Sequence, residues 1–323
     1  MSKHLDGKHK VLLTGATGFI GRSLLSNFLI KEEITPVVAA RKPLFHNDID
    51  QLVISDISDA SAFPAVCSSG IDIVVHLAGR AHLLKDGAND PLSEFRRVNV
   101  KGTVTLAQKA YEMGAKRFIF LSSIGVNGAE TFDLPFTELS QPSPYNAYTI
   151  SKWEAEQELK EFALKVGMEV VIIRPPMVYG VDAPGNFGRL LKVVKKNIPL
   201  PFANINNRRS LVALENLVDF IVTCTFHPNA ANRTFLVSDD ESISTSGIIE
   251  NLLKGMNLPN KLFYFPQALM TASAKILNRE GMAKQLLGSL ELNISTSKRL
   301  LDWAPKVSTA DALRKVGSDY GSL

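Results

Sequence analysis

Cysteine is almost absent from this sequence. Its 323 residues include only two, Cys67 and Cys224, and neither stands in a CxxC pair or in a Cys/His cluster. This scarcity argues against a disulfide framework and against a structural zinc site, so we expect no bound metal. We expect two buried thiols in a protein of a reducing compartment.

Strongly charged blocks and long apolar runs are missing as well. The formal net charge is only +4, with both signs interleaved, which argues against a nucleic-acid partner. Mild basicity suits a small anionic substrate such as a diphosphate. No window holds ~18 consecutive apolar residues, and the N-terminus lacks the apolar core of a signal peptide. We therefore expect a cytoplasmic protein without a membrane span.

The first half of the chain does contain short apolar runs that alternate with segments of helical periodicity. The periodic segments predict helices at 19–29, 98–113 and 147–166. Strands that alternate with helices indicate an α/β fold of the Rossmann type, with a doubly wound parallel sheet covered on both faces. The predicted strands are 10–14, 35–40, 52–55, 71–77, 117–122 and 170–174.

The second half is less regular. Stretches rich in Pro, Gly and Asn at 184–188 and 199–209 predict loops. A helix is predicted over 211–226 and a seventh strand over 233–238. Short helices with loops are predicted from 245 to 320.

This pattern predicts two domains. We expect a dinucleotide-binding domain over 8–180, to which 208–240 returns. A smaller C-terminal substrate-binding domain, made of 181–207 and 241–323, is expected to cover the ligand edge of the sheet.

A glycine-rich segment joins the first predicted strand to the first predicted helix. It reads GATGFIG from Gly15 to Gly21. Glycines let the chain turn tightly and let its backbone approach a pyrophosphate, and the helix N-terminus offers N–H groups and partial positive charge. The spacing GxxGxxG differs from the usual GxGxxG, but its position after the first strand predicts a nicotinamide dinucleotide site.

The end of the second predicted strand bears on which dinucleotide is bound. The acidic residue that would bind the ribose 2′-hydroxyl of NAD is absent, and the strand runs into Arg41 and Lys42 instead. A cation there fits the 2′-phosphate, so NADP is favoured and NAD stays possible. The alternative is an ordinary solvated Arg-Lys pair.

Two polar clusters suggest redox chemistry on a hydroxyl or ketone. Tyr148 and Lys152 are four residues apart on one face of a predicted helix. A nearby ammonium lowers the pKa of a phenol, and Lys152 can also hold the nicotinamide ribose. Ser122 and Ser123 end the fifth predicted strand, where a hydroxyl can orient the substrate oxygen; capping is the alternative.

Together these motifs resemble the extended short-chain dehydrogenase/reductase family. Within it the sequence is similar to the NAD-dependent epimerase/dehydratase group, which acts on nucleotide sugars. The likeness covers 10–180 in the family's order and is looser over the C-terminal third. The matching segments are TGATGFIG (14–21), HLAG (76–79), VNVKGT (98–103), FLSS (120–123), YTISK (148–152) and RPPMVYG (174–180).

The resemblance implies roles for individual residues. Ser123, Tyr148 and Lys152 match the catalytic triad. With the glycine loop and Arg41 included, the expected cofactor-binding residues are Gly15, Thr17, Gly18, Phe19, Ile20, Gly21, Arg41, Asp56, Ile57, Leu77, Ala78, Gly79, Asn99, Tyr148, Lys152, Pro175 and Val178. The expected substrate-binding residues are Arg80, Ser123, Asn186 and Arg209.

Some of these roles have a stated chemistry. Arg209 resembles the arginine that grips the diphosphate of the substrate, because a guanidinium fork matches phosphate oxygens. Asp56 and Ile57 resemble the pair that contacts the adenine. Arg80 and His82 follow the fourth predicted strand and either reach the substrate or pack within the loop.

Departures from the family pattern narrow the chemistry. Its 4,6-dehydratases carry an acidic pair just after the catalytic Ser/Thr, whereas this chain has Ile124 and Gly125. Its 3,5-epimerase/reductases use a Cys/His pair, for which neither Cys67 nor Cys224 is well placed. Chemistry at one carbon, C4, remains.

Two reactions at C4 stay open. We expect a 4-keto reductase that uses NADPH, which Arg41 favours, and the alternative is a UDP-sugar 4-epimerase that keeps NAD. In both cases we expect a UDP-hexose, N-acetylated, from surface polysaccharide biosynthesis. A non-catalytic NADP-binding sensor or scaffold is the alternative of another class, and the intact Ser123–Tyr148–Lys152 set argues against it.

Two expectations concern contacts with other molecules. The predicted helices at 98–113 and 147–166 resemble those through which relatives form homodimers. The segment 266–277 has apolar residues at helical spacing that could lie on a bilayer, although an internal packing helix is favoured.

Overall fold

The computed structural model of the protein describes residues 7–44, 49–63, 70–81, 90–276 and 280–322. Cys67, His82 and the end of the segment 266–277 lie outside the described residues. Cys224 is a free, buried cysteine, and burial raises the pKa of its thiol far above the usual range.

Within the described ranges, seven parallel strands form the central sheet, in the order β3-β2-β1-β4-β5-β6-β9. The order runs outward from β1 in both directions, so the connecting helices cover both faces. This confirms the predicted doubly wound α/β fold. The strands of the chain are β1 (His9–Thr14), β2 (Ile34–Ala40), β3 (Asp50–Val53), β4 (Ile73–His76), β5 (Arg117–Leu121), β6 (Glu169–Arg174), β7 (Met177–Tyr179), β8 (Arg209–Ala213), β9 (Arg233–Leu236) and β10 (Ser242–Ile243).

Helices cover the sheet and form the C-terminal region. A π-helical segment, Arg96–Lys101, joins the second helix to the third. The helices are α1 (Phe19–Leu29), α2 (Pro91–Phe95), α3 (Gly102–Glu112), α4 (Ala147–Val166), α5 (Gly185–Lys195), α6 (Leu214–Phe226), α7 (Thr245–Gly255), α8 (Gln267–Ile276), α9 (Glu280–Leu287), α10 (Ser295–Leu301) and α11 (Thr309–Gly321).

The core lies on both faces of the central sheet. Val11 and Leu13 of β1 pack on the side of α1 and α6, and Leu12 between them packs on the side of α3 and α4. All three side chains are fully buried, which explains why the strand is a continuous apolar run.

A separate apolar cluster lies outside the central sheet. It joins α5, α7 and α11 to a three-stranded sheet of order β10-β8-β7. Leu191, Leu252 and Leu313 are fully buried members from the three helices. The predicted region of short helices after 245 is thus present. Its helices α7 and α11 pack in this cluster, whereas Leu290, Leu301 and Trp303 pack in the core on the α1 and α6 side of the central sheet.

The structure corrects four of the predicted elements. The first residues of the helix predicted over 211–226 form β8, because Leu211–Ala213 pair with β7. The loop predicted at 184–188 is the start of α5, which Pro184 precedes. The helix predicted over 98–113 is π-helical up to Lys101. The segment at 266–277, favoured as an internal packing helix, contains α8, in which no described side chain is buried.

Candidate active site

The glycine loop needs its glycines for close approach between two strand ends. Gly15 has φ +75°, and a Cβ there would lie 2.8 Å from the backbone nitrogen of Ala78, which follows β4. A Cβ on Gly21 would collide with the carbonyl oxygen of Gly15. The N–H of Gly18 donates to that same carbonyl, 2.9 Å away. The loop is therefore a tight, fixed turn.

The start of α1 suits an anion. Gly18 precedes its first turn, which has neither a side-chain cap nor an acidic residue, whereas Asn146 caps α4 and Ser244 caps α7. Thr17 and Gly18 are exposed, and Phe19 and Ile20 are half-buried. Backbone N–H groups at such a terminus bind phosphate oxygens, so the loop fits the pyrophosphate of a dinucleotide.

A buried hydrogen-bond chain links the loop to the next helices. Thr14 Oγ1 accepts from the N–H of Ala78 at 3.1 Å and lies 2.7 Å from His76 Nδ1. His76 Nε2 lies 3.1 Å from Thr103 Oγ1, which donates to the carbonyl of Asn99. Because the Thr103 hydroxyl donates its proton to the carbonyl of Asn99, it can only accept from His76 Nε2. His76 Nε2 therefore donates to Thr103, and Nδ1 accepts from Thr14. Burial, helped by Lys152, lowers the pKa of His76 to about 3, so the ring is neutral.

Asn99 joins this chain to α4. Its Oδ1 accepts from the N–H of Arg80 at 2.8 Å, and its Nδ2 donates to the Arg80 carbonyl at 3.1 Å and to Ser151 Oγ at 3.0 Å. Ser151 in turn donates to the carbonyl of Tyr148. Leu77, Ala78 and Gly79, on which the cofactor was expected to rest, are thereby fixed relative to α4.

The structure brings Ser123, Tyr148 and Lys152 together at the carboxyl edge of the sheet. Ser123 follows β5; its hydroxyl accepts from the N–H of Gly125 at 3.1 Å and lies near enough to Tyr148, in the first turn of α4, to influence the pKa of the phenol. Desolvation raises the pKa of Tyr148 to about 12, and the Ser123 hydroxyl opposes this rise. The ring of Phe95 lies edge-on to that of Tyr148, with 6.1 Å between centroids.

Lys152 is buried one helical turn after Tyr148. Desolvation lowers the pKa of its ammonium to about 7, and Glu156 works in the opposite direction. Its Nζ lies 4.1 Å from the centroid of the Phe120 ring, which contributes a cation–π contact. Lys152 is thus poised between its charged and neutral forms near neutral pH.

A buried ionic network supports the start of this helix, and sequence reasoning missed it. Glu156 accepts from Ser122 Oγ at 2.5 Å and from Arg174 Nη2 at 2.5 Å. Arg174 Nη1 also donates to Asn127 Oδ1 at 2.9 Å. The available signal was an acidic residue four positions after Lys152, on the same helical face.

The residues expected near the adenine end lie at the ends of β2 and β3. Arg41 is exposed directly after β2. Asp56 accepts from the N–H and hydroxyl of Ser58 and pairs with Arg97 at 2.5 Å, and these contacts lower the pKa of its carboxyl. Ile57 packs directly against Gly102, where a side chain would not fit, since a Cβ on Gly102 would lie 2.7 Å from Ile57 Cγ2.

The segment after β6 closes the other end of the expected cofactor site. Pro175 is buried, and its carbonyl accepts from the N–H of Ile124 at 2.9 Å. Val178 is half-buried in β7. A Cβ on Gly180 would lie 2.9 Å from Phe19 Cζ, so this segment lies against the phosphate loop.

Arg209 and Asn186 lie beside the C-terminal helices. Arg209 Nη1 donates to the carbonyl of Gly288 at 3.0 Å, and burial lowers the pKa of its guanidinium while neighbouring Tyr145 raises it. Asn186, exposed at the start of α5, donates to Gln285 of α9. The guanidinium carbon of Arg80 lies 5.8 Å from the centroid of the Phe95 ring, and that ring is also the one that lies edge-on to Tyr148.

The sequence matches a known protein family over most of its length. Residues 11–238 match the model of the NAD dependent epimerase/dehydratase family. The chain belongs to this family. It is therefore an enzyme with a nicotinamide dinucleotide as cofactor, and the loop Gly15–Gly21 fits that group.

Epimerases are among the proteins that this chain resembles. It is 38% identical over 312 residues to UDP-glucose 4-epimerase of Vibrio cholerae, covering 96% of this chain and 95% of that protein. It is 28% identical over 261 residues to N-acetyl-alpha-D-glucosaminyl-diphospho-ditrans,octacis-undecaprenol 4-epimerase of Escherichia coli O157:H7, covering 80% and 76%.

The fold resembles that of a solved epimerase. UDP-glucose 4-epimerase from Thermotoga maritima, determined with UDP-glucose, superposes with a TM-score of 0.77 over 96% of this chain and 98% of that one. The identity is 21%, so this likeness shows the fold alone.

In this chain the two positions after Ser123, Ile124 and Gly125, have no room for the acidic pair of a dehydratase. Ile124 is 5% exposed and packs in the core. A Cβ on Gly125 would lie 2.5 Å from Thr149 Cγ2, and Thr149 itself belongs to the capping box of α4. Carboxylates at 124 and 125 would require the start of α4 to move.

The described part of the chain has neither a cluster of metal-ligating side chains nor a membrane-spanning helix. No group of three or more His, Cys, Asp or Glu side chains in it could hold a metal ion. None of its helices is long and apolar enough to cross a membrane.

Proposed function

We propose that the enzyme is a 4-epimerase of a UDP-hexose, N-acetylated at C2, in surface polysaccharide biosynthesis. The observation that carries the proposal is the Ser123–Tyr148–Lys152 set beside a dinucleotide loop, followed by Ile124 and Gly125 where a dehydratase needs carboxylates. The likeness to the Vibrio cholerae protein over nearly the whole chain supports epimerisation.

Each residue of the set has a role in this proposal. Ser123 hydrogen-bonds the C4 hydroxyl and holds it against the phenol of Tyr148, which takes the proton. The nicotinamide, when bound, supplies the hydride acceptor and, oxidised, a positive charge. Because the pKa of Tyr148 is raised to about 12, the phenol needs a neighbouring cation to become a base near neutral pH. Lys152, whose pKa is lowered to about 7, is the side chain that supplies such a cation when it is protonated.

We propose that Arg209 binds the diphosphate of the substrate. Arg209 has a half-buried guanidinium whose neighbours include Tyr145, three residues before Tyr148. A guanidinium freed of water binds a diphosphate strongly. Asn186 and Arg80 are proposed to contact the sugar nucleotide from α5 and from the turn after β4.

A 4-keto reductase is the second candidate, because of Arg41. Its exposed guanidinium after β2 suits a 2′-phosphate, and a reductase that exchanges NADPH at each turnover would use that charge. An epimerase returns the hydride to the same sugar and has no need to exchange its cofactor.

The cofactor carried by the purified protein separates these candidates. We expect NAD to be released on denaturation, identified by mass spectrometry, and UDP-N-acetylglucosamine to be converted to its C4 epimer without added cofactor. Protein that carries no NAD and consumes NADPH on a 4-keto sugar would establish the reductase instead. Bound NADPH with no turnover of either substrate would support a sensor or scaffold.

We also propose the division into a domain over 8–180 with 208–240, and a substrate-binding domain over 181–207 and 241–323. The separate core of α5, α7 and α11 supports it.

A homodimer through α3 and α4 is proposed because an open groove of 810 Å³ runs along these helices, with Arg96, Lys101 and Glu158 on its walls. Light scattering on the purified protein would give the mass of one chain if this is wrong.

A further inference from the structure

The helix α8 turns an apolar stripe away from the protein. Leu269, Ala272 and Ile276 follow each other at intervals of three and four residues, so they share one helical face, and Phe265 lies two residues before the helix begins. All four are exposed, Leu269 at 55% and Ile276 at 81%. A ten-residue helix in which no described side chain is buried does not owe its position to packing against this chain's core.

The residues before α8 are held so that their rings point outward. The N–H of Phe263 donates to the carbonyl of Leu200 at 3.0 Å, and the carbonyl of Phe263 accepts from the N–H of Ala203 at 3.2 Å. Leu262 packs against the apolar cluster of α5, α7 and α11, whereas Phe263 and Tyr264 are 44% and 64% exposed. The backbone is therefore anchored while two aromatic side chains face solvent.

The charged side chains in the segment between Glu250 and Glu280 are all basic, because the sequence has no Asp or Glu there. Lys254, Lys261 and Lys275 are all exposed in it. Aromatic and aliphatic residues on one face with lysines beside them are the composition by which a helix lies in the interface of an anionic bilayer.

A second copy of the chain is a poorer match for this face. In a two-fold dimer the same patch meets itself, so Lys261 and Lys275 would meet a second set of the same lysines, and Glu250, which borders the segment, already accepts a hydrogen bond from Asn260. A surface of anionic headgroups provides the opposite charge and accepts the apolar stripe.

We propose that α8, together with Phe263, Tyr264 and Phe265, docks the protein on the surface of an anionic lipid bilayer. The docking face adjoins the proposed substrate site, because α9 packs on α8 and its Gln285 binds Asn186. Docking would thus place the proposed substrate site near the headgroups. The proposal concerns a surface apart from the proposed catalytic residues and stands whichever reaction they perform.

Vesicle flotation with the full chain tests the proposal. We expect the protein to float with phosphatidylglycerol/phosphatidylcholine vesicles and to stay unbound with phosphatidylcholine alone, and binding to fall as salt rises. The variant Leu269→Gln/Ile276→Gln should lose at least tenfold in partitioning, and Lys261→Glu/Lys275→Glu should lose as much. Leu139→Gln, at a leucine 94% exposed elsewhere, and Lys116→Glu, on the opposite edge of the sheet, are the matched controls.

Several outcomes would overturn it. One is the absence of binding to the anionic vesicles, and another is binding that all four variants share equally. A third is a Leu269→Gln/Ile276→Gln variant that dissociates an oligomer in sedimentation velocity, which would assign the face to a second copy. Unchanged circular dichroism and turnover in each variant exclude misfolding as the cause of lost binding.

Discussion

At the scale of single residues, the account depends on two buried titrating groups that lie one helical turn apart. Tyr148 has a raised pKa and Lys152 a lowered one, so each is pushed towards its neutral form. Without ligands the site therefore disfavours the phenolate of Tyr148 and the ammonium of Lys152. The positive charge of a bound oxidised nicotinamide would stabilise the phenolate, so Tyr148 can act as a base when the substrate hydroxyl is bound.

Tyr148 is expected to be the proton-transferring group. We predict that Tyr148→Phe lowers kcat by about 10³-fold, within the range of general acid–base catalysis, while the protein keeps its dinucleotide. Tyr145→Phe is the control, since its ring is 53% exposed and lies three residues away. Equal losses in the two variants, measured by steady-state kinetics, would contradict the assignment.

The lowered pKa of Lys152 predicts how stability depends on pH. Its pKa is about 7 in the folded protein against an ordinary value of 10.5, so between these values the unfolded chain binds more protons. The free energy of unfolding of the cofactor-free protein should therefore rise from pH 7 towards pH 10.

Removal of the titrating group should abolish this rise. Lys152→Met is expected to be more stable than the parent at pH 7, by roughly a few kcal/mol, with the difference shrinking as the pH rises. Lys165→Met, at an exposed lysine of the same helix, should leave the pH dependence unchanged. Urea denaturation at several pH values measures both, and a Lys152→Met curve parallel to the parent's would refute the prediction.

Arg41 predicts the choice between dinucleotides. If its guanidinium binds a 2′-phosphate, Arg41→Asp should weaken NADPH binding about tenfold or more and leave NAD binding nearly unchanged. Fluorescence titration with both dinucleotides provides its own control. An unchanged ratio of the two dissociation constants would make Arg41 an ordinary solvated residue.

At the scale of elements, α4 is the part that organises the site. It carries Tyr148, Ser151, Lys152 and Glu156, and its capping box fixes where it begins. Its bounds were predicted from the sequence, as were those of α1. Asn146 and Gly167 cap the two ends of α4, whereas α1 is marked by the glycine loop that precedes it and by its apolar periodicity.

β8 shows why other elements were missed. Residues 211–213 have apolar spacing that suits either a strand or the first turn of a helix, and pairing with β7 and β10 decides for the strand. β7 itself is three residues long, too short for any periodicity. The hydrogen-bond chain through His76 could not be predicted either, since its members lie far apart in the sequence.

The pair of Glu156 and Arg174 ties α4 to β6. Both side chains are almost fully buried, so Glu156→Gln leaves an uncompensated cation and should lower the free energy of unfolding by about 3–5 kcal/mol. Glu154→Gln breaks an exposed pair with Arg96 on the same helix and should cost less than about 1 kcal/mol. Chemical denaturation that gives equal losses would show that the buried pair contributes nothing special.

At the scale of the whole molecule, the fold class and the glycine loop followed from the sequence, because alternation of strands and helices is a local pattern. The placement of the C-terminal helices did not, since it depends on contacts between distant segments such as Asn186 with Gln285 and Arg209 with Gly288. The exposed face of α8 belongs to this second class and was expected to be packed inside.

The central claim is that the hydride leaves C4 and returns to the same sugar within one enzyme. The measurement that tests it most directly is NMR of UDP-N-acetylglucosamine and UDP-glucose, each deuterated at C4, incubated with purified protein and no added cofactor. We predict that the C4 epimer forms from at least one of them and keeps the deuterium at C4. Loss of the label to solvent, or no epimer together with NADPH-dependent reduction of a 4-keto sugar, would contradict the account.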